Sequence, residues 1–431
     1  MFKNWQAITL WKRVLIGLVL GMAVGLAAHY GGGTGFITTW IKPFGDAFVR
    51  LIKMLVIPLI ATTLVAGVVA MGDPKRLGSL GVKTIALYLL TTLFAVSLGL
   101  LFGTLLQPGT GVTALSASDA ALNAAGDKLA AGKAAGGLVD RLLDIIPTNP
   151  LAALASGDVL PVIFFSILIG VGILFVGKQA KPVGDFFEAA AEVVMRITLL
   201  VMELAPLGVF ALMAWVLSEQ GLDILANMGK LAIALYIACI LHIILVYGFL
   251  IVRGILKLPL ARFFYGVLDA QGVAYSTASS NATLPVSISC AEHNLGVEKS
   301  VAGSVLPLGA TINMDGTAIY LGIVAMFAAQ ALGIDVNLGG YVMIALTAVL
   351  TSIGAAGIPS AGLLLAATVL SVIGVTDAQS TLIIAFILPF DRLLDMMRTV
   401  TNVTGDLAVA STVAKWEGQL DEEVFKSKSV H

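Results

Sequence analysis

The sequence predicts an all-α membrane protein whose chain crosses the bilayer many times. Composition is the first ground: 58% of the 431 residues are hydrophobic and 12% are charged. Mean hydropathy is +0.98, whereas a soluble domain carries about 25% charged residues. Apolar runs are the second ground. They lie near 10–30, 43–71, 79–107, 158–177, 190–217 and 230–252 and resume at about 298, and a span needs roughly 20 such residues. The third is the placement of cations between the runs, which alternates as a polytopic topology requires. A net charge of −1 gives no electrostatic basis for binding nucleic acid.

Taken in order, Lys3, Lys12 and Arg13 precede VLIGLVLGMAVGLAA. That looks like a signal peptide, but further spans follow at once, so the reading is an uncleaved first helix with a cytoplasmic N-terminus. The connection GDPKRLGSLGVK carries Lys75, Arg76 and Lys83 and is also placed inside. So are GKQAKPVGD, VRGILKLPLARF and the tail KWEGQLDEEVFKSKSVH, while HYGGGTGF and SEQGLD have few cations and fall outside. The segment from about 109 to 137 is rich in small residues and reads as an external loop without assigned function. Cys239 and Cys290 lie far apart in apolar or junctional sequence and read as buried inert thiols.

Two stretches of the second half resemble interrupted helices. Residues 258–292 contain AYSTASSNATLP between apolar arms. The run 336–376 has no charge, yet its middle reads SIGAAGIPSAG, where Gly354, Gly357, Pro359 and Gly362 would break a helix. Broken backbone survives at membrane depth only where protein buries it or a watery cavity meets it. The economical reading is two re-entrant hairpins with tips at Ser279–Asn281 and Ala356–Ser360; ordinary short helices joined by polar loops are the plainer alternative.

Polar chemistry concentrates in two further places. In PLGATINMDGTAIY (307–320), Asn313 and Asp315 sit between Gly309 and Gly316 in an apolar helix. Carbonyls freed by unwinding, plus a carboxylate, are what a desolvated hard cation needs. The second place is DRLLDMMRTVTNVTGD, 391–406. Asp391, Asp395, Arg398, Asn402 and Asp406 are spaced +4, +3, +4 and +4, and at about 100° per residue they fall within roughly 80° of one another. Thr399 sits at the margin of that face and Arg392 just beyond it. One charge at the bilayer centre costs about 3 kcal/mol, so a focused stripe implies a protein-facing, compensated site. An ion-pair network that merely locks helices together would also place charges this way. Three acids against two bases, with Asp315 as a fourth acid, favour bound cations or protons.

STASSNATLP, PLGATINMDGT, SIGAAGIPSAG and DMMRTVTNVTGD, in that order, resemble the dicarboxylate/amino acid:cation symporters, the glutamate transporter homologues. The resemblance runs from the first helix to the tail. It implies eight transmembrane helices, two re-entrant hairpins, a homotrimer in the plasma membrane (the bacterial inner membrane) and cytoplasmic termini. It also implies a scaffold of helices one and two (1–77) and four and five (138–225). The transport domain would comprise helix three (78–107) and residues 226–416: helix six, hairpin one at about 258–292, helix seven at about 298–330, hairpin two at about 336–372 and helix eight at about 378–416. An external loop (108–137) and a cytoplasmic tail (417–431) complete the chain.

The resemblance implies import of an acidic amino acid coupled to sodium ions, with no organic cofactor and no enzymatic activity. Arg398 resembles the residue that pairs with the substrate's side-chain carboxylate, and its guanidinium fork suits that task. Asp395 would take the α-amino group, and Asn402 and Thr399 the main-chain polar groups. Ser279, Ser280, Thr317 and the backbone at Ile358 and Gly362 would complete the pocket. For sodium, Asp406 with carbonyls of Gly309, Asn313 and Asn402 resembles one site. Thr311, Ser352, Ile353 and Ala355 resemble a second. Asp315 and Asn313 with Tyr88, Thr91 and Thr92 resemble a third, although Thr91 and Thr92 read by themselves as helix-packing residues.

The chain departs from the family pattern in places. Archaeal relatives carry an arginine where Ala278 stands, and mammalian ones where Met396 stands; Arg392 is left to substitute or to pair with Asp391. Asn281 occupies a position that is glutamate in proton-coupled bacterial members. Keeping Arg398 with Asp395 argues for L-aspartate or L-glutamate. The alternative is a proton-coupled glutamate/aspartate or C4-dicarboxylate symporter. An intramembrane aspartyl protease would also pair two carboxylates, but it needs no arginine, and the chain has Val403-Thr-Gly-Asp406 rather than a GxGD context. An open channel fits a compact, capped site less well than a carrier. The four histidines are isolated in sequence and read as structural or terminal.

Overall fold

A computed structural model of the chain describes residues 10–69, 74–112, 143, 145–353, 355, 357 and 359–427. The expected external loop from 113 onward, the backbone of Ile358 and the last four residues of the tail lie outside the described residues. The described chain is helical apart from turns and an isolated bridge between Val297 and Leu420.

The first half supplies α1 (Leu10–Gly31), α2 (Lys42–Val69, entered through a π turn at Ile37–Ile41) and α3 (Pro74–Leu106). It continues with the short α4 (Pro150–Ser156), then α5 (Val159–Val176), α6 (Lys181–Met202) and α7 (Ala205–Gln220). Between α5 and α6 the chain bends through a 3₁₀ turn, Gly177–Ala180. The apolar run 190–217, expected to be one span, is two helices. Pro206 lies in the first turn of α7, where it has no amide to lose. The break leaves Glu203 to receive a 2.7 Å ion pair from the buried Arg13 of α1. Helices α1 and α7 run side by side through small residues, with Gly17 against Pro206, Gly21 against Phe210 and Gly25 against Ala214. Such contacts let helices approach closely without a hydrophobic driving force.

The second half begins with α8 (Asp223–Leu241), which continues as a π-helical segment, His242–Leu256. Two helix–turn–helix pairs follow, α9 (Leu260–Thr277) with α10 (Ser280–Ser289), and α13 (Leu338–Ile353) with α14 (Ala361–Val372). Between the pairs, α11 (Lys299–Ile312) and α12 (Asp315–Ala331) are separated by two non-helical residues, Asn313 and Met314. The chain closes with α15 (Asp377–Trp416) and α16 (Glu422–Lys426). Among the described residues, six helical stretches are long and apolar enough to cross a bilayer: Lys12–Gly31, Thr34–Val69, Leu80–Leu106, Leu160–Met202, Ile224–Leu256 and Lys299–Ala331. The first two helices pack with α5, α6 and α7. The buried α12 is wrapped by α3, α8, α13, α14 and α15, and α15 also touches α9 and α11.

The tail is docked rather than trailing. Asp421 N donates to Gly296 O (2.8 Å), and Glu298 N to Gln419 O (3.1 Å). Lys415 reaches Leu256 O (2.6 Å) and Glu422 (2.7 Å), and Phe425 is buried beneath. These contacts tie the ends of α8 and α15 to the base of the α9–α10 pair.

Candidate functional site

The stripe on α15 faces inward. Asp391, Asp395, Arg398, Thr399, Asn402 and Asp406 are all buried. Arg398 Nη2 donates to Asp395 (2.7 Å) and to Asp391 (2.9 Å), and its guanidinium lies over the Tyr320 ring at 4.1 Å. So the ion-pair network is real, but it does not consume the guanidinium: Nη1 and Nε are buried without partners. Beside Nη1 stands Gly362, where a Cβ would come within 3.0 Å of Nη1 and of the Thr317 methyl. The missing side chain lets the Gly362 backbone approach the unsatisfied Nη1 and Thr317 closely.

One helix-pair tip bonds to Asp395 and the other is fastened to that tip. Each turns through a non-glycine residue in the left-handed region, Ala278 (φ 53°) and Ser360 (φ 64°). Such strained residues persist where the surroundings over-determine them and cluster at ligand clamps. Ser360 N donates to Asp395 Oδ2 (2.7 Å). Ser279 Oγ donates to Gly357 O (2.6 Å), and Asn281 N reaches the same carbonyl (3.2 Å). Ser279 also caps α10 by accepting from Ala282 N (3.2 Å), and Ser280 is buried beside it. Arg392 does not pair with Asp391. It donates to the carbonyls of Ser276 (3.4 Å) and Thr277 (3.0 Å), at the end of α9.

Asn402 and Thr399 are engaged within the helices. Asn402 Oδ1 accepts from Gly316 N (2.8 Å), which anchors the start of α12, and Thr399 Oγ1 donates to Asp395 O (2.9 Å).

Below this pocket the oxygens gather. Asn313 Nδ2 donates to Asp406 Oδ1 (2.9 Å) and to Asn402 O (3.2 Å), while Asn313 Oδ1 is buried without a donor. A Cβ at Gly309 would overlap Asp406 Oδ1 and Tyr88 Oη, so Gly309, Asn313, Asn402 and Asp406 converge with Tyr88. Thr92 Oγ1 donates to Asp315 Oδ1 (2.6 Å), whereas Thr91 Oγ1 turns back to Tyr88 O (3.1 Å). In the remaining group, Thr311 and Ser352 bond to carbonyls of their own helices, and Ala355 N to Ser352 O. Ile353 is half-buried on α13, and the neighbouring Thr351 Oγ1 is buried without a partner. The orphaned Asn313 Oδ1, on a side chain bonded to the buried Asp406, fits a hard cation, which takes oxygen ligands.

The sequence placed Ser360 at a hairpin tip without giving it a role, and did not single out Tyr320, His242 or Tyr247. His242 Nε2 (3.1 Å) and Tyr247 Oη (2.6 Å) both meet Asp315 Oδ2. His242 is isolated in sequence but not in space.

A multi-helix membrane body enclosing a charged pocket, with two helix-pair tips folded over it and carboxylates below, defines a carrier. The sodium:dicarboxylate symporter family matches this chain over residues 10–416, and the chain belongs to that family. It is a symporter and not an enzyme. It is 37% identical over 417 residues to a proton/sodium-glutamate symport protein of Geobacillus stearothermophilus, covering 96% of both chains. It is 35% identical over 421 residues to C4-dicarboxylate transport protein 3 of Bradyrhizobium diazoefficiens, covering 98% of this chain and 91% of that one. To the proton/glutamate-aspartate symporter of Escherichia coli it is 33% identical over 425 residues, covering 98% and 95%.

Proposed function

We propose that this symporter imports an acidic amino acid, L-aspartate or L-glutamate, with sodium, across the bacterial inner membrane. The observation that carries the reading is Arg398. One of its nitrogens holds two aspartates, while Nη1, beside Gly362, is buried with no partner. The substrate's side-chain carboxylate accepts from Nη1, and the substrate's α-amino group pairs with Asp395. Each is a charge-assisted bond in a water-poor pocket. A C4-dicarboxylate has no amine for Asp395, which is why we rank that substrate second despite the likeness to C4-dicarboxylate carriers.

Sodium is the coupling ion in this reading. Asp315, Asp406 and Asn313 Oδ1 supply oxygens at membrane depth, together with the carbonyls freed between α11 and α12. The runner-up is proton coupling, suggested by the names of two of the relatives. Asn281 speaks against it, because a carboxamide carries no proton where proton-coupled members have glutamate.

The mechanism we infer is an elevator. Helices α1, α2 and α5–α7 form the scaffold, and α3 and α8–α15 the moving unit; the α9–α10 and α13–α14 pairs are its re-entrant hairpins. The position of the unit supports this. Thr311 Oγ1, beside the unwound site, lies 3.2 Å from where a Gly67 Cβ would stand, and Gly67 is two residues from the end of α2. The connection after α2 carries Lys75, Arg76 and Lys83 and is assigned to the cytoplasm. The closeness of Thr311 to that end of α2 supports an inward position of the unit in the cycle. Eight spans, a homotrimer and cytoplasmic termini complete the proposal. Uptake of labelled aspartate into liposomes containing purified protein, with and without an inward sodium gradient, tests it. Accumulation driven by a pH gradient in sodium-free buffer overturns the choice of ion, and accumulation of succinate but not aspartate overturns the choice of substrate.

A further inference from the structure

The π-helical segment after α8 has a consequence for the cation site. On an α-helix, residues five apart point about 140° away from one another. With i→i+5 backbone bonding they come close to register. His242 and Tyr247 are five apart within the segment His242–Leu256, both fully buried, with their rings edge to face at 4.7 Å. Both reach the same oxygen, Asp315 Oδ2, at 3.1 Å and 2.6 Å. A carboxylate oxygen accepts, so the ring donates through Nε2–H. Gly405, in the Thr404-Gly405-Asp406 turn of α15, leaves the room: a Cβ there would overlap Tyr247 Oη. The other oxygen, Asp315 Oδ1, accepts from Thr92 Oγ1, whose single proton has a second acceptor in Tyr88 O (2.7 Å).

We propose that His242 and Tyr247 are positioning residues of the cation site, fixing Asp315 by Oδ2 so that Oδ1 is the oxygen presented to sodium. This rests on the sodium-coupled reading above. Groups that orient a ligand from behind are worth about 10- to 100-fold in metal affinity. A wide turn of α8 thereby contributes to coupling without touching the ion.

The test is sodium binding, not transport: the sodium-dependent rise in melting temperature of the purified carrier, titrated without substrate. Tyr247→Phe removes one oxygen and keeps the ring. His242→Leu removes the donor, and His242→Gln returns an N–H near the same place. We expect Tyr247→Phe and His242→Leu to weaken sodium affinity about tenfold or more, with His242→Gln recovering most of it. Aspartate affinity at saturating sodium should stay within about twofold of the parent. A role in packing alone would lower the melting temperature at every sodium concentration and leave the midpoint of the titration in place; that result overturns the proposal. If His242→Leu does not fold, Tyr247→Phe and His242→Gln decide it. If the unaltered carrier shows no sodium-dependent shift while aspartate still stabilises it, the sodium reading fails and this inference falls with it.

Discussion

Ser279 Oγ donates a 2.6 Å hydrogen bond to the carbonyl of Gly357, so the tips of the α9–α10 and α13–α14 pairs are fastened to each other over the pocket. The same carbonyl takes the weaker Asn281 N–H bond at 3.2 Å. Ser279→Ala removes the first and leaves the second. A net hydrogen bond is worth about 0.5–1.5 kcal/mol, roughly 2- to 10-fold in an equilibrium. Aspartate should therefore bind about 2- to 10-fold more weakly and leave faster, as isothermal calorimetry and exchange from preloaded vesicles will read. Unchanged affinity and exchange would mean that the closure does not hold substrate.

Arg398→Cys should abolish uptake of aspartate and glutamate and admit small neutral amino acids such as serine. The change removes the cation aimed at the side-chain carboxylate and opens space beside Gly362. It also leaves Asp391 and Asp395 facing each other. Breaking a buried pair from one side costs about 3–5 kcal/mol, so a lower melting temperature is expected. Arg398→Lys keeps a charge without the fork and should retain weak acidic uptake. Near-native aspartate affinity in Arg398→Cys would reduce Arg398 to a structural ion-pair partner.

The sequence exposed the site unevenly, for physical reasons. The α15 stripe was legible because its 3–4 residue spacing is the α-helical period, and a charged stripe in a greasy chain has few explanations. The Asn313–Asp315 break was legible from its glycines and oxygens. Arg392 was not, because reaching the Ser276 and Thr277 carbonyls depends on how α15 crosses the end of α9. His242 and Tyr247 were hidden by the π turn: at α-helical spacing they point apart, and HIILVY reads as lipid-facing sequence. Ser360 contributes a backbone amide, which any residue carries. Among the spans, the break at Glu203 and Leu204 was masked by apolar neighbours, although Pro206 and the lone Glu203 were its signals.

Gly309→Ala should uncouple sodium while leaving the fold intact. The added methyl would meet Asp406 Oδ1 and Tyr88 Oη at the converging oxygens. Gly303, two turns earlier on α11, has open space around it. Gly303→Ala should therefore be neutral or stabilising by about 0.5–1 kcal/mol, the usual gain from replacing a helical glycine. The pair separates local chemistry from helix propensity. In Gly309→Ala the sodium concentration for half-maximal uptake should rise by roughly an order of magnitude or more, and in Gly303→Ala it should not move. Equal behaviour of the two variants would remove the Asp406 group from the coupling mechanism.

The last expectation is that potassium is not counter-transported. By family resemblance, mammalian relatives that export potassium carry a glutamate soon after Asn-Met-Asp-Gly-Thr. The matching position here is Leu321, fully buried in α12. An apolar side chain has neither charge nor oxygen with which to hold potassium or to move a proton through the cycle. The chain's own groups can compensate its acids. Arg398 bridges Asp391 and Asp395, Asp315 takes bonds from Thr92, His242 and Tyr247, and Asp406 takes one from Asn313. These bonds offset part of the desolvation cost of carrying uncompensated carboxylates across the bilayer. Sodium-driven uptake should therefore run at the same rate with internal potassium or internal choline once membrane voltage is clamped. A strict requirement for internal potassium would show that another residue holds the ion, and it would shift attention from Leu321 to the acids of α15.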